Sequence, residues 1–228
     1  MIDLHSHILP QIDDGSKSVE ETTALLKMLA AQGVTTLAAT PHFYPKIEAP
    51  EAFLQRREQA LAQLPRDTDI KILPGAEVAY FAGIGSSDVL PELKIGNTKL
   101  LLVEMPFTPW TDRMVQDICN IPMQQGLLPV LAHVNRYLGL NQFPRFMETL
   151  AEAGVLFQCN AEAFLTMKGR LWAMRLLKAG HVHFLGSDCH NLDKRPPTLD
   201  IACQRIEKKL GKAFLSQLHK NAEVLLNQ

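Results

Sequence analysis

The chain has 228 residues, which fits one large domain or two small ones, and the size of common barrel domains favours a single domain over 1–228. Its 23 basic and 24 acidic side chains give a formal charge of -1 with no long basic run, which argues against a nucleic-acid scaffold. Four cysteines without CxxC spacing do not form a disulfide framework or a zinc knuckle, and no leader or bilayer-length apolar stretch appears, so the expectation is a soluble cytoplasmic protein without direct membrane insertion.

The first residues, Met1-Ile2-Asp3-Leu4-His5-Ser6-His7, read as a short apolar strand that ends in two histidines one residue apart. In extended backbone, residues i and i+2 point the same way, so both imidazoles can face one centre. That arrangement suits a metal with nitrogen ligands. The alternative is a hydrogen-bonded histidine pair near a terminus. A loop follows, with Asp14-Gly15 as a turn signal. Ser18 is placed to cap a helix over 19–32, with Glu21 at the capping-box position, Leu25, Leu26 and Leu29 on the apolar face and Gly33 as the stop.

The apolar run 34–39 predicts the next strand and leads into Thr40-Pro41-His42. Residues 51–64 predict a helix, and 70–73 a strand that ends in Pro74-Gly75-Ala76-Glu77. From there to Ile95 the pattern is irregular and predicts loop with short helical turns. Strands are then predicted over 99–103, ending in Glu104, over 127–132, ending in His133, over 155–158, ending near Asn160, and over 182–186, ending in Ser187-Asp188-Cys189-His190. Helices are predicted over 112–125, 143–153, 167–179, 199–210 and 212–218.

Strand and helix thus alternate along the whole chain, which predicts a parallel α/β architecture around one core. The strands are rich in Val, Leu and Ile without strict alternation, as expected when both faces are covered. An open doubly wound sheet fits this order. A distorted (β/α)7 TIM-like barrel fits better, because candidate ligands follow nearly every strand and a barrel brings those ends to one mouth.

The candidate metal ligands are His5, His7, Asp14, His42, Glu77, Glu104, His133, Asp188 and His190. Several buried carboxylates need cations, and few lysines or arginines adjoin these strand ends, so metal is the preferred answer. The set is too large for one tetrahedron and suits two or three ions with a bridging carboxylate. Mixed nitrogen and oxygen donors favour manganese, iron or zinc. The bland alternative is a cluster of polar loop residues. No CxxxxxR cradle surrounds Cys189 and no GxSxG elbow occurs, so neither a cysteine nor a serine nucleophile is expected.

On these residues the chain resembles the polymerase and histidinol phosphatase (PHP) superfamily. More narrowly, it resembles the bacterial manganese-dependent protein-tyrosine phosphatases of capsule and exopolysaccharide loci. The resemblance runs nearly end to end. It is carried by Met1-Ile2-Asp3-Leu4-His5-Ser6-His7-Ile8-Leu9, Asp13-Asp14-Gly15, Thr40-Pro41-His42, Gly75-Ala76-Glu77, Leu131-Ala132-His133 with Arg136-Tyr137, and Ser187-Asp188-Cys189-His190-Asn191 with Arg195-Pro196-Pro197.

The resemblance implies the PHP fold and three divalent ions, manganese first with iron or zinc as options. It implies that His5, His7, Glu77 and Asp188 hold the first ion. Glu77, Glu104 and His133 would hold the second, and Asp14, His42 and His190 the third. It also implies a partner, a bacterial tyrosine kinase whose phosphotyrosine tail is the substrate. Two departures from relatives bear on the substrate surface: Phe43-Tyr44 stands where some carry basic residues, and Asn135 replaces a common acidic residue.

Within that reading, Arg136 is the first candidate for a bidentate phosphate contact and Arg195 the second, as catalytic residues. The alternative for each is a surface salt bridge. Phe43, Tyr44, Phe107 and Trp110 follow strand ends and are candidates to line the entrance or to pack the loops. Competing functions are a small-molecule phosphomonoesterase such as a histidinol phosphatase, a metal-dependent nuclease or amidohydrolase, and a non-catalytic interaction domain.

Overall fold

In the computed structural model, which describes residues 1–140 and 142–228, apolar runs form parallel strands and amphipathic runs form the helices between them. The strands are β1 (Ile2–Ser6), β2 (Thr36–Ala39), β3 (His42–Phe43), β4 (Lys71–Pro74), β5 (Glu77–Ala79), β6 (Leu100–Glu104), β7 (Leu128–Leu131), β8 (Leu156–Asn160) and β9 (Phe184–Gly186). The helices are α1 (Val19–Ala31), α2 (Pro50–Leu61), α3 (Leu90–Leu93), α4 (Asp112–Gln125), α5 (Phe143–Glu152), α6 (Met167–Lys178), α7 (Leu199–Leu210) and α8 (Lys212–Leu226).

Two parallel ladders make the sheet, in the orders β1-β2-β4 and β3-β5-β6-β7-β8-β9. Beyond β9 the chain meets β1 again through a bridge between Ser6 and Cys189. There Asp188 N donates to His5 O at 2.8 Å and His7 N donates to Cys189 O at 2.9 Å. The result is a curled, incompletely closed parallel sheet wrapped by helices.

The sequence predicts seven strands, and the structure divides two of those regions further. β2 stops at Ala39 and resumes as β3 after Thr40-Pro41, while β4 stops at Pro74 and resumes as β5 after Gly75-Ala76. Pro41 has no N–H for a ladder. The partners break at the same level, with Gly75 N donating to Ala39 O and Glu77 N to Pro41 O, each at 2.9 Å. The resumed strands are too short to show a hydrophobic pattern, yet they carry His42 and Glu77.

Strand alternation sorts the side chains into two layers. The inner layer contains Ile2, Leu4, Ala38, Leu100, Leu102, Val130, Ala132 and Phe184. The outer layer includes Leu37, Leu101, Val103, Leu131, Phe157 and Leu185, packed under the helices. Ala222 of α8 joins the inner cluster, with Leu225 and Leu226 against it. This contact extends α8 to Leu226, past the predicted end at 218.

Candidate metal centre

The period of two that makes the inner core also builds the site. In β6 the inner residues Leu100 and Leu102 are followed, two positions on, by Glu104. Ala38 is followed in the same phase by Thr40 and His42, and Phe184 by Gly186 and Asp188. Each inner stripe is apolar deep in the sheet and polar at its C-terminal end. In β1 the register against β2 shifts between Asp3 and Ser6, the segment that contains His5. Two candidate ligands leave ordinary backbone geometry, with φ of 33° at His133 and 52° at Asp188. Such left-handed non-glycine residues gather where a site demands a particular side-chain direction.

The structure brings all nine sequence-predicted metal ligands into one cluster. His5 Nε2 lies 3.1 Å from His7 Nε2, 3.2 Å from Glu77 Oε2 and 3.5 Å from Asp188 Oδ1. His7 Nε2 lies 3.3 Å from Glu77 Oε2 and 3.5 Å from Asp188 Oδ1. The other oxygen of Glu77, Oε1, is 2.9 Å from His133 Nε2, which is 3.2 Å from Glu104 Oε1. His42 Nδ1 is 3.0 Å from Glu77 Oε2, and His42 Nε2 is 3.7 Å from Asp14 Oδ1. His190 Nε2 is 3.4 Å from the same Asp14 oxygen.

These spacings fit divalent cations. Ligands about 2.1 Å from one ion stand about 3.0–3.4 Å from each other in octahedral or tetrahedral arrays. Three groups have donor atoms mutually within 4.8 Å: His7-Asp14-His42-His190, His5-His7-Glu77 and His42-Glu77-Glu104. Two facing imidazole nitrogens 3.1 Å apart, with the buried His42 Nδ1 facing a carboxylate oxygen of Glu77, suit an imidazole site for a cation. The donor set therefore fits a multinuclear centre of nitrogen and oxygen ligands.

The imidazoles and carboxylates also compensate one another's charge. Burial opposes a charged Glu77, yet His5, His133 and His42 hold its carboxyl well below the usual range. Burial also opposes the His7 cation, and Asp13 and Glu77 outweigh it, so His7 is raised well above its ordinary value. His133 is pushed up to about 9 against burial by Glu104 and Glu77. His190 is pushed down to about 4, first by burial and then by His7 and Arg195. Among the described residues, these imidazoles and the guanidinium groups of Arg136 and Arg195 are the cations that face the carboxylates of this pocket.

A supporting layer orients the cluster, and the sequence reading did not single it out. Asp13 Oδ2 accepts from His7 Nδ1 at 2.7 Å and from His42 N at 3.0 Å. Gln158 Oε1 accepts from His133 N at 2.7 Å and faces His5 Nδ1 at 3.2 Å. Asn160 Nδ2 donates to Asp188 Oδ2 at 2.7 Å. Gln158 and Asn160 lie two apart on β8, where one inner stripe turns polar, and that pairing is the signal that would have found them. Asp13 carries its signal beside Asp14 in the turn. Glycines leave room for the histidines: a Cβ on Gly186 would sit 2.8 Å from His5 Cβ, and one on Gly15 would overlap His7.

Arg136 and Arg195 both reach the centre. Arg136 Nη2 donates to Asp188 Oδ2 at 2.7 Å and to Glu162 Oε1 at 2.8 Å. Arg195 Nη2 donates to Asp188 Oδ2 at 2.7 Å, and its Nη1 stands 2.7 Å from His190 Nε2. Each is partly exposed, so each guanidinium keeps an open side.

The four candidate entrance aromatics divide. Tyr44 is exposed and stacks on His42 at 5.1 Å between centroids, and Phe107 is exposed and stacks on His133 at 5.6 Å. Phe43 and Trp110 are buried in the outer core, Phe43 against Phe53 and Trp110 against Tyr137. Cys189 is fully buried, and burial first, then Asp3, pushes its thiol up, which leaves it unfit as a nucleophile.

A family model described as "Capsular polysaccharide synthesis, CpsB/CapC" matches residues 1–227. The chain belongs to the CpsB/CapC family. Among relatives, it is similar to the tyrosine-protein phosphatase CpsB of Streptococcus pneumoniae, 34% identical over 233 residues, with 92% of this chain and 91% of that protein covered. It is also similar to the tyrosine-protein phosphatase YwqE of Bacillus subtilis (strain 168), 29% identical, with 99% and 91% covered.

Among solved structures, one from a study of YwqE and of CpsB from Streptococcus pneumoniae, described as unique metal-dependent tyrosine phosphatases, matches with TM-score 0.87 and 28% identity over 100% of this chain and 94% of the other. A TatD-family hydrolase from Entamoeba histolytica matches with TM-score 0.59 and 10% identity, covering 99% of this chain and 97% of the other, which is likeness of fold. The CpsB/CapC match therefore spans every strand that feeds the cluster. Among the described residues no helix is long and apolar enough to cross a membrane.

Proposed function

We propose that this chain is a metal-dependent protein-tyrosine phosphatase linked to capsule or exopolysaccharide synthesis. The observation that carries the reading is the convergence of nine imidazole and carboxylate ligands, flanked by two arginines, at the C-terminal ends of the strands. Membership of the CpsB/CapC family supports it. Relatives named tyrosine-protein phosphatases support the substrate class.

In this reading the curled sheet is a distorted seven-stranded barrel of the PHP kind, in one catalytic domain over 1–228. His5, His7, Glu77 and Asp188 would hold one ion, and Glu77, Glu104 and His133 a second. Asp14, His42 and His190 would hold a third. Manganese is the first choice, with iron or zinc able to use the same donors. When bound, such ions neutralise charge on phosphoryl oxygens and make water nucleophilic at neutral pH.

The chain's own residues do the rest. Glu77 presents one oxygen to His5 and His7 and the other to His133, so it ties two sites together. Asp13 and Gln158 hold imidazoles in the required tautomer and direction. Arg136 and Arg195 turn their open sides to the phosphate and stabilise charge in the transition state. Tyr44 and Phe107 flank the mouth and contact an aryl leaving group. A tyrosyl leaving group, with a solution pKa near ~10, needs less proton help than an alkoxide. The protein acts in the cytoplasm on the phosphotyrosine tail of a bacterial tyrosine kinase.

A substrate screen tests the reading. Chelated protein resupplied with manganese is assayed on phosphotyrosyl peptides and on histidinol phosphate. Higher kcat/KM on the peptides is expected. Preference for histidinol phosphate would reassign the protein to small-molecule chemistry.

A further inference from the structure

Helix α6 has the sequence MKGRLWAMRLLK and contains no acidic residue. Its inner side, with Ala173, Met174, Leu176 and Leu177, is buried. Its outer side exposes Met167 at 68%, Leu171 at 60% and Trp172 at 37%, with Leu165 exposed in the turn before it. Between these apolar tips stand Lys168, Arg175 and Lys178, also exposed. The Arg175 guanidinium lies over the Trp172 ring at 5.3 Å.

Beside this face a groove of about 400 Å³ runs between α6 and α7, lined by Arg170, Leu171, Met174, Arg205, Lys208 and Lys209. Asp200 and Glu207 are the acidic residues of α7. Among the described residues, the lysine and arginine ion pairs belong to Arg56, Arg57, Arg136, Arg145 and Arg195, and none involves the cations of α6 or α7. In a chain of formal charge -1, one side therefore collects uncompensated cations around exposed apolar tips.

We propose that the outer face of α6, with the adjoining cationic groove of α7, docks this protein on the surface of an anionic lipid bilayer. Cations unpaired on the protein are complementary to lipid phosphates. Met167, Leu171 and Trp172 enter the headgroup and acyl boundary, while the long stems of Lys168, Arg175 and Lys178 reach back to the headgroups. The groove between Arg170, Arg205, Lys208 and Lys209 receives a lipid phosphate over the apolar floor of Leu171 and Met174. The chain lies on the bilayer and does not cross it.

Docking also orients the centre. α6 begins just after the turn Ala161–Phe164, whose Glu162 holds Arg136. The exposed Leu165 and Met167 follow the C-terminal end of β8 in the chain, and the exposed Leu192 follows that of β9. The pocket therefore opens beside the bilayer, where a substrate anchored there is concentrated. The docking surface stands whether or not the phosphatase reading holds, because its test reads binding.

The test is sedimentation of the full chain with vesicles of phosphatidylcholine alone or with phosphatidylglycerol added. Binding is expected only with the anionic lipid, with loss at high salt and a blue shift of tryptophan emission that Trp172→Phe removes, since Trp110 is already buried. The pair Leu171→Glu and Trp172→Glu is expected to abolish binding. Lys208→Glu with Lys209→Glu should weaken it about tenfold or more. All four positions are on the surface, and turnover of an aryl phosphate without vesicles should be unchanged. Equal binding to neutral vesicles, no binding to anionic ones, or full binding by both double variants would overturn the proposal. So would retention on poly-L-glutamate without vesicle binding, which would assign the face to an acidic protein.

Discussion

At the scale of residues, hydrogen bonds aim the candidate ligands. Asp13 has no reach beyond His7, His42 and its own turn, so its contribution passes through the imidazoles. Asp13→Asn should lower manganese affinity about 10–100-fold while leaving the fold intact, as read by metal titration and thermal melting. Unchanged affinity would remove its positioning role. Arg136 is tied to Asp188 and Glu162 and has an open side. Arg136→Ala should cut kcat/KM on a phosphotyrosyl peptide about a hundredfold or more. Steady-state kinetics equal to the parent would return Arg136 to a structural salt bridge.

At the scale of elements, the seam between β8 and β9 carries a pH-sensitive contact outside the set of candidate ligands. His183, just before β9, accepts a hydrogen bond at Nδ1 from Phe157 N at 3.1 Å and is therefore neutral. Burial first, then His181, pushes it down to about 4 from an ordinary 6.5. Its folded pKa lies below the unfolded one, so its contribution is complete above pH ~6.5 and is lost as pH falls toward ~4. At pH ~5 the loss is at most about 2 kcal/mol. His183→Asn keeps an acceptor for Phe157 N without the titration. Urea unfolding of chelated protein at the two pH values should show a smaller acid loss in the variant, and equal losses would contradict the assignment.

The same scale shows what the sequence could and could not tell. Ser18 was legible as a cap because side chain and helix pattern are local, and its Oγ accepts from Glu21 N at 3.2 Å. The ligand-bearing strand ends were legible because an apolar run followed by His, Glu or Asp is a local signal. β3 and β5 were not, since two or three residues show no period and their pairing depends on breaks in neighbouring strands. The sequence offers Phe43 and Trp110 either to the entrance or to loop packing, and contacts with Phe53 and Tyr137 put both in the core. The spacing of Gln158 and Asn160 places both on the inner stripe of β8, but their partners His133 and Asp188 lie across the sheet, and the chain's own spacing does not name them.

At the scale of the whole molecule, curling the sheet is what turns scattered residues into a centre. His5 lies near the start of the chain and Asp188 near its end, and the bridge from Ser6 to Cys189 brings them together. Two buried carboxylates, Glu77 and Asp188, then face buried imidazoles, an arrangement that divalent cations stabilise. The most direct measurement is turnover of a phosphotyrosyl peptide by chelated protein as manganese is added, with bound metal counted alongside. The account predicts no turnover in the stripped protein, recovery in step with metal bound, and neither in Glu77→Ala. Full turnover by stripped protein, or by Glu77→Ala without bound metal, would contradict it.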